Sequence, residues 1–181
     1  LLSAAVEAAS LFMGAGKLIG YTQGRNAENR QDFTAAASAP HAEMPLVILV
    51  NGGSASGSEI VAGAMQDHKR AVVVGQRSYG KASVQSLIPL PDGSGLRLSV
   101  ARYYTPSGRS IHRDEKHKTG GISPDIAVEI SPEAEGNLYA QWETIYAKDK
   151  KPRSAVKPED AVRDEALDRA VELLKTAPNV P

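Results

Sequence analysis

The amino-acid sequence predicts a single α/β layer domain. Two runs, "PLVILV" (45–50) and "AVVVG" (71–75), are apolar throughout, as strands buried on both faces are. Between them "GSEIVAGAMQDHKR" sets Ile60, Val61, Ala64 and Met65 on one helical face, with basic residues in its last turn. Strand, helix and strand within about thirty residues make a βαβ unit. Farther on, "ASVQSLIPL" (82–90) and "GLRLSVARYY" (95–104) alternate apolar and polar around the turn "PDGSG", the pattern of an antiparallel hairpin.

The remaining elements follow in chain order. Leu1 to Met13 carries a helical stripe of Leu1, Leu2, Ala5, Val6, Ala9 and Phe12, ended by Gly14 and Gly16. "KLIGYT" (17–22) reads as a strand. Residues 23–43 are polar, alanine-rich and without period, which reads as a long loop. "DIAVEI" (125–130) is a further short strand, and residues 131–157 read as an irregular linker. Pro158 to Lys175 reads as a helix with proline in its first turn, facing the core with Val162, Ala166, Leu167, Ala170, Val171 and Leu174. The expected organisation is a core over 1–130, a linker over 131–157, and a terminal helix over 158–175 on the core or a partner.

Composition excludes several classes. Lysine plus arginine equals aspartate plus glutamate at 21 each, and a nucleic-acid binder usually carries a basic excess. "KDKKPR" (148–153) is short and interrupted, a solvated linker. With no cysteine, disulfides and thiolate zinc sites are excluded, while an oxidising compartment is allowed. No apolar run approaches bilayer length. The chain opens on helix-periodic residues with neither initiator Met nor cap, and is expected to be a piece of a larger protein.

Lys81 raises the chemical question. Gly75, four residues, then Gly80-Lys81 nearly make the phosphate loop G-x-x-x-x-G-K-[ST]. Position 82 is alanine, however, and no helix is expected after Lys81 to lend its N-terminal N–H groups. Lys81 is then an ordinary surface lysine or the partner of something reactive. "NGGSASGSEI" (51–60) offers that partner, a small-residue turn between a buried strand and a helix. A serine there could attack a carbonyl while the next N–H holds the oxyanion. Ser56-Gly57-Ser58-Glu59 equally fits the capping box S-x-x-E, in which the same groups only satisfy helix donors. Ser54, Ser56 and Ser58 all lie in the turn, so both roles can coexist at different serines.

The block "VNGGSASGSEIVAGAMQDHKRAVVVGQRSYGKASVQSLIPL", with "LRLSVARYYTPSGRSIH" and "GISPDI", resembles the core of the carboxyl-terminal processing peptidases, or tail-specific proteases. The likeness runs through nearly all of 1–130 and the final "DEALDRAVELLK". It implies a fold of the Clp-protease and crotonase type and a serine endopeptidase forming an acyl-enzyme near substrate C-termini. The family nucleophile falls on Ser56, the general-base lysine on Lys81, and the glutamine that orients the lysine on Gln85. In a strand starting near Lys81, side chains at 81, 83 and 85 share a face. Gly57, where the family more often has alanine, supplies an oxyanion N–H. The second oxyanion donor and a PDZ module belong upstream of Leu1 in the family, so turnover is expected of the complete protein.

A lysine of ordinary pKa, about 10.4, must be brought well down to act as a base near neutrality. Burial does this by disfavouring the cation, and "AVVVG" and "SLIPL" are expected to supply it. None of the four histidines stands at a triad spacing, which weakens a Ser-His alternative. No cofactor or metal is expected. The expected partners are unstructured C-terminal segments of protein substrates, with self-association open and nucleic acid excluded. The resemblance implies the periplasmic side of a bacterial envelope. Two other readings share the fold: a non-catalytic binding module, and a crotonase-type acyl-CoA enzyme. The latter would need a basic patch near the site, which the sequence does not display.

Overall fold

A computed structural model describes residues 2–36, 39–114, 116–117, 119–146 and 161–176. Two sheets organise them. One is antiparallel in the order β2–β1–β6–β5, from β1 (Leu18–Gln23), β2 (Arg30–Thr34), β5 (Ser83–Pro89) and β6 (Gly95–Tyr104). The other is parallel in the order β3–β4–β7, from β3 (Val47–Val50), β4 (Val72–Gly75) and β7 (Ile126–Ala127). Helix α2 (Gly57–Asp67) connects β3 to β4, as the βαβ pattern requires, and packs against α1 (Leu2–Ser10).

The core lies where α1 and α2 meet the sheets. Ala5, Ala9 and Met13 face Ile60, Ala64 and Met65, and Ile19, Val73, Ile111 and Ile122 complete it. Sealing side chains such as Met65 and Ile122 from water stabilises the fold by about 1.5–3 kcal/mol each. Arg70, buried just past α2, ties the layers together. Its Nε donates to the Phe12 carbonyl at 2.8 Å, and one terminal nitrogen donates to those of His41 and Met44 at 2.7 and 2.6 Å.

Several expectations are corrected. The long loop 23–43 contains β2, a polar strand that the backbone of β1 recruits. Arg30 at its start lies 3.8 Å over the Tyr21 ring. Within the linker expected over 131–157, Pro132–Tyr146 forms helix α3; Ser131 Oγ accepts the Ala134 N–H at 3.2 Å at its start.

The last helix, α4, spans Glu165–Thr176. It starts late because Asp164 caps it, taking the Leu167 N–H at 2.9 Å; Pro158 lies outside the described residues. Of its expected core face only Ala166 and Ala170 are buried, against β3 and β4, while Leu167, Val171 and Leu174 are exposed. β3 is an edge strand with Leu49 exposed, not covered on both faces. α2 stops at Asp67, so Lys69 and Arg70 lie beyond it. β7 is shorter than 125–130; the Asp125 carboxylate takes the Val73 N–H at 2.8 Å where it begins.

Candidate active site

The turn between β3 and α2 is built by Asn51. Its Oδ1 accepts the Gly53 N–H and the Ser54 hydroxyl, each at 3.1 Å, and Ser54 Oγ accepts the Asn51 N–H at 3.1 Å. The Ser54 hydroxyl is thereby committed to holding the turn. Ser56 stands at the N-cap of α2 with φ 58° and ψ −116°. L-residues avoid that region, which costs about 1–3 kcal/mol. Lys69 is the other described non-glycine residue at positive φ, and it sits at a helix exit, where a left-handed residue is ordinary. A strained serine between a parallel strand and a helix is how an α/β fold lifts a nucleophile out of its sheet. Gly57 is the first residue of α2, so its N–H is one of the donors that helical geometry leaves without an intrahelical acceptor.

The capping box of the sequence is present, but it is part of something larger. Glu59 is fully buried and its carboxylate accepts four hydrogen bonds. Oε2 takes the Ser56 N–H at 2.8 Å and the Lys81 N–H at 2.9 Å. Oε1 takes the Ser78 hydroxyl at 2.5 Å and the Gly80 N–H at 2.6 Å. Ser78 Oγ in turn accepts the Ile122 N–H at 2.7 Å. The backbones of Ser56 and Lys81 are therefore joined through a single oxygen atom.

Gly80 makes the approach possible. Its φ is +90°, and a Cβ there would stand 2.6 Å from that of Arg113. The segment it touches forms a groove of about 370 Å³ with Tyr79, Lys81, Ser83, His112 and Arg113. The fold thus gathers three basic side chains that the sequence, with Lys81 and His112 far apart, does not display as a patch. The strand after Lys81 agrees with rejection of the phosphate loop, since no helix follows. The other described histidines are elsewhere: the His68 Nε2 lies 2.7 Å from the Leu18 carbonyl, His117 contacts Asp114, and His41 stands against the Phe12 ring.

Two expectations for the lysine are not met by this chain. The Lys81 side chain is exposed rather than buried among its apolar neighbours. The reason is that β5, which follows Lys81, lies at the edge of the antiparallel sheet, in a hairpin whose Leu87, Ile88, Leu96, Leu98 and Val100 are themselves exposed. Gln85 is also exposed, beside an irregularity in the β5–β6 ladder, and no hydrogen bond joins it to Lys81 among the described residues. Lys81 itself precedes the strand. Sequence reasoning recognised Glu59 only as a cap and missed its bonds to 78–81. An apolar pocket of about 240 Å³ adjoins the turn at Asn51 and Ser54, walled by Leu49, Leu138, Tyr139 and Trp142.

The described residues thus combine a parallel βαβ unit, with a strained serine at its strand-to-helix turn, and an antiparallel sheet. The family model for Peptidase family S41 matches residues 1–128, and the chain belongs to that family. It is 46% identical over 129 residues to a carboxy-terminal-processing protease of Bartonella bacilliformis, covering 71% of this chain and 28% of that protein. With a chloroplastic carboxyl-terminal-processing peptidase of Arabidopsis thaliana it shares 41% identity over 126 residues, 70% of this chain and 24% of the relative. The solved photosystem II D1 C-terminal processing protease superposes with a TM-score of 0.63 at 35% identity, covering 71% of this chain and 31% of that one. The chain thus spans less than a third of the length of these relatives.

Proposed function

We propose that the complete protein is a serine endopeptidase that cuts protein substrates near their C-termini through an acyl-enzyme, with Ser56 as nucleophile and Lys81 as base. The observation that carries this reading is the shared oxygen of Glu59, which keeps the two backbones adjacent across a long stretch of sequence. Ser56 Oγ attacks the scissile carbonyl as Lys81 Nζ takes its proton. The C–N bond breaks, and Lys81 returns that proton to the leaving amine. A water then attacks the ester as Lys81 takes its proton, the ester C–O bond breaks, and Lys81 returns that proton to Ser56 Oγ as the acid product leaves. The Gly57 N–H supports the oxyanion, and Gln85 orients the amine.

Desolvation of Lys81, absent from this chain alone, is assigned to the remainder of the protein or to bound substrate. The substrate is an unstructured C-terminal segment, and the apolar pocket beside Asn51 suits an apolar side chain. A periplasmic location rests on the resemblance; a chain without cysteine tolerates it, and among the described residues no helix is long and apolar enough to cross a membrane.

The decisive experiment compares the complete wild-type protein with Ser56→Ala and Lys81→Ala on an unstructured peptide. Each substitution should abolish turnover, and wild-type rates in either would defeat the assignment. An exposed Lys81 is what a non-catalytic binding module would show, but that reading also asks for a lysine remote from Ser56, and the linked backbones oppose it. The relatives named above are processing proteases, which gives an acyl-CoA enzyme no support.

A further inference from the structure

We propose that Glu59 is a positioning residue for the peptidase reaction, setting the separation of Ser56 and Lys81 by holding both turns on one carboxylate. The inference rests on the dyad reading and adds a residue that this reading does not require. All four partners of Glu59 donate. The N–H groups of Ser56, Gly80 and Lys81 can do nothing else, and Ser78, which already accepts from Ile122, directs its hydroxyl proton to Oε1. Such a site calls for two acceptor oxygens and no proton, which is a carboxylate.

A helix cap does not require this. Capping α2 needs one bond to the Ser56 N–H, and an exposed side chain would serve. Glu59 is instead fully buried, and none of its hydrogen-bond partners is a cation. Burying an unpaired charge is costly, and apolar replacements of buried charges often stabilise a fold. The arrangement is justified if its product is geometry. The three segments converging on Glu59 are the nucleophile turn, the 78–81 turn and, through Ser78, the strand approach at Ile122. Displacing reacting groups by about 1 Å can cost about a hundredfold in rate.

Glu59→Gln tests the role in the complete protein, with Ser56→Ala as reference. The amide is isosteric but turns an NH₂ toward N–H donors on one side, so one turn must move. The expected result is a cooperative melt and a fall in kcat of about a hundredfold, with KM within about twofold of wild type. A wild-type kcat, or a change confined to KM, overturns the proposal. If Gln at 59 prevents folding, Ser78→Ala decides, because it removes one of the two bonds to Oε1 while leaving the Ser56, Gly80 and Lys81 N–H groups in place. A roughly tenfold lower kcat at unchanged KM supports the role, and an unchanged kcat rejects it. The two readings separate cleanly. Turnover by Ser56→Ala sinks the dyad, whereas an inert Ser56→Ala beside a fully active Glu59→Gln sinks only the positioning role.

Discussion

Asp67, the last residue of α2, accepts the Ser107 N–H at 2.8 Å and pairs with the Arg109 guanidinium, fastening the segment after β6 to the helix that carries Ser56. Burial pushes the Asp67 carboxyl up, but hydrogen bonds from Thr105 and Ser107, with the charge of Arg109, outweigh it and hold it below the usual carboxylate range. A carboxyl lowered in the folded state stabilises the fold above its unfolded value, about 3.9. That contribution is lost as pH falls through the lower folded value. Urea midpoints from pH 7 down to 2 should therefore fall more steeply for wild type than for Asp67→Asn in the range below about pH 4. Parallel curves would remove Asp67 from the account.

Arg70 serves three partly buried carbonyls, those of Phe12, His41 and Met44. Arg70→Met keeps much of the volume but removes the donor to the Phe12 and Met44 carbonyls, while that of His41 keeps the Met44 N–H at 3.2 Å. Unsatisfied buried groups cost about 1–3 kcal/mol each, and with two carbonyls affected and both partly exposed the net loss should be about 2 kcal/mol. Denaturant titration reads this directly, and a loss under 1 kcal/mol would mean that water reaches those carbonyls.

At Gly80 a positive φ coincides with a backbone approach to Arg113. Gly80→Ala should lower stability by about 1–3 kcal/mol and, by shifting Lys81, reduce turnover more than tenfold. Thermal melts and peptide cleavage measured on the same preparation test both halves. Full activity in a destabilised variant would uncouple the turn from the chemistry.

The two serines of the turn should separate by experiment. Ser54 spends its hydroxyl on Asn51, so Ser54→Ala should cost about 1 kcal/mol and still react with an acylating serine probe. Ser56→Gly should not react, yet it should melt higher, because glycine relieves the backbone strain at φ 58°. A Ser56→Gly protein melting several degrees lower would show that the backbone there is not strained.

The pieces legible in the sequence were those with a strong local signature. "PLVILV", the helix after it and "AVVVG" announce a βαβ unit through apolar periodicity, and "PDGSG" marks the hairpin. β2 escaped because "RQDFT" is polar and mostly exposed; its partner strand, not its own pattern, makes it a strand. α3 carries a broken apolar stripe with Gly136 inside it, although Ser131-Pro132 with Glu133 and Glu135 was a readable helix start. At the site, S-x-x-E revealed the link from Glu59 to Ser56. Nothing local could reveal the link to Lys81, which exists only because α2 and β4 pack together. Burial of Lys81 was inferred from "AVVVG" and "SLIPL"; the first is buried in β4, short of Lys81, and the second lies on a hairpin that this chain leaves open to water.

Three amides, those of Ser56, Gly80 and Lys81, end on the oxygens of one side chain. In deuterated solvent they should not fray one by one. Each can be released only when Glu59 lets go, so all three should exchange with a common opening rate, a single cooperative unit drawn from two remote loops. The turn before α2 and the segment before β5 would then breathe as one body.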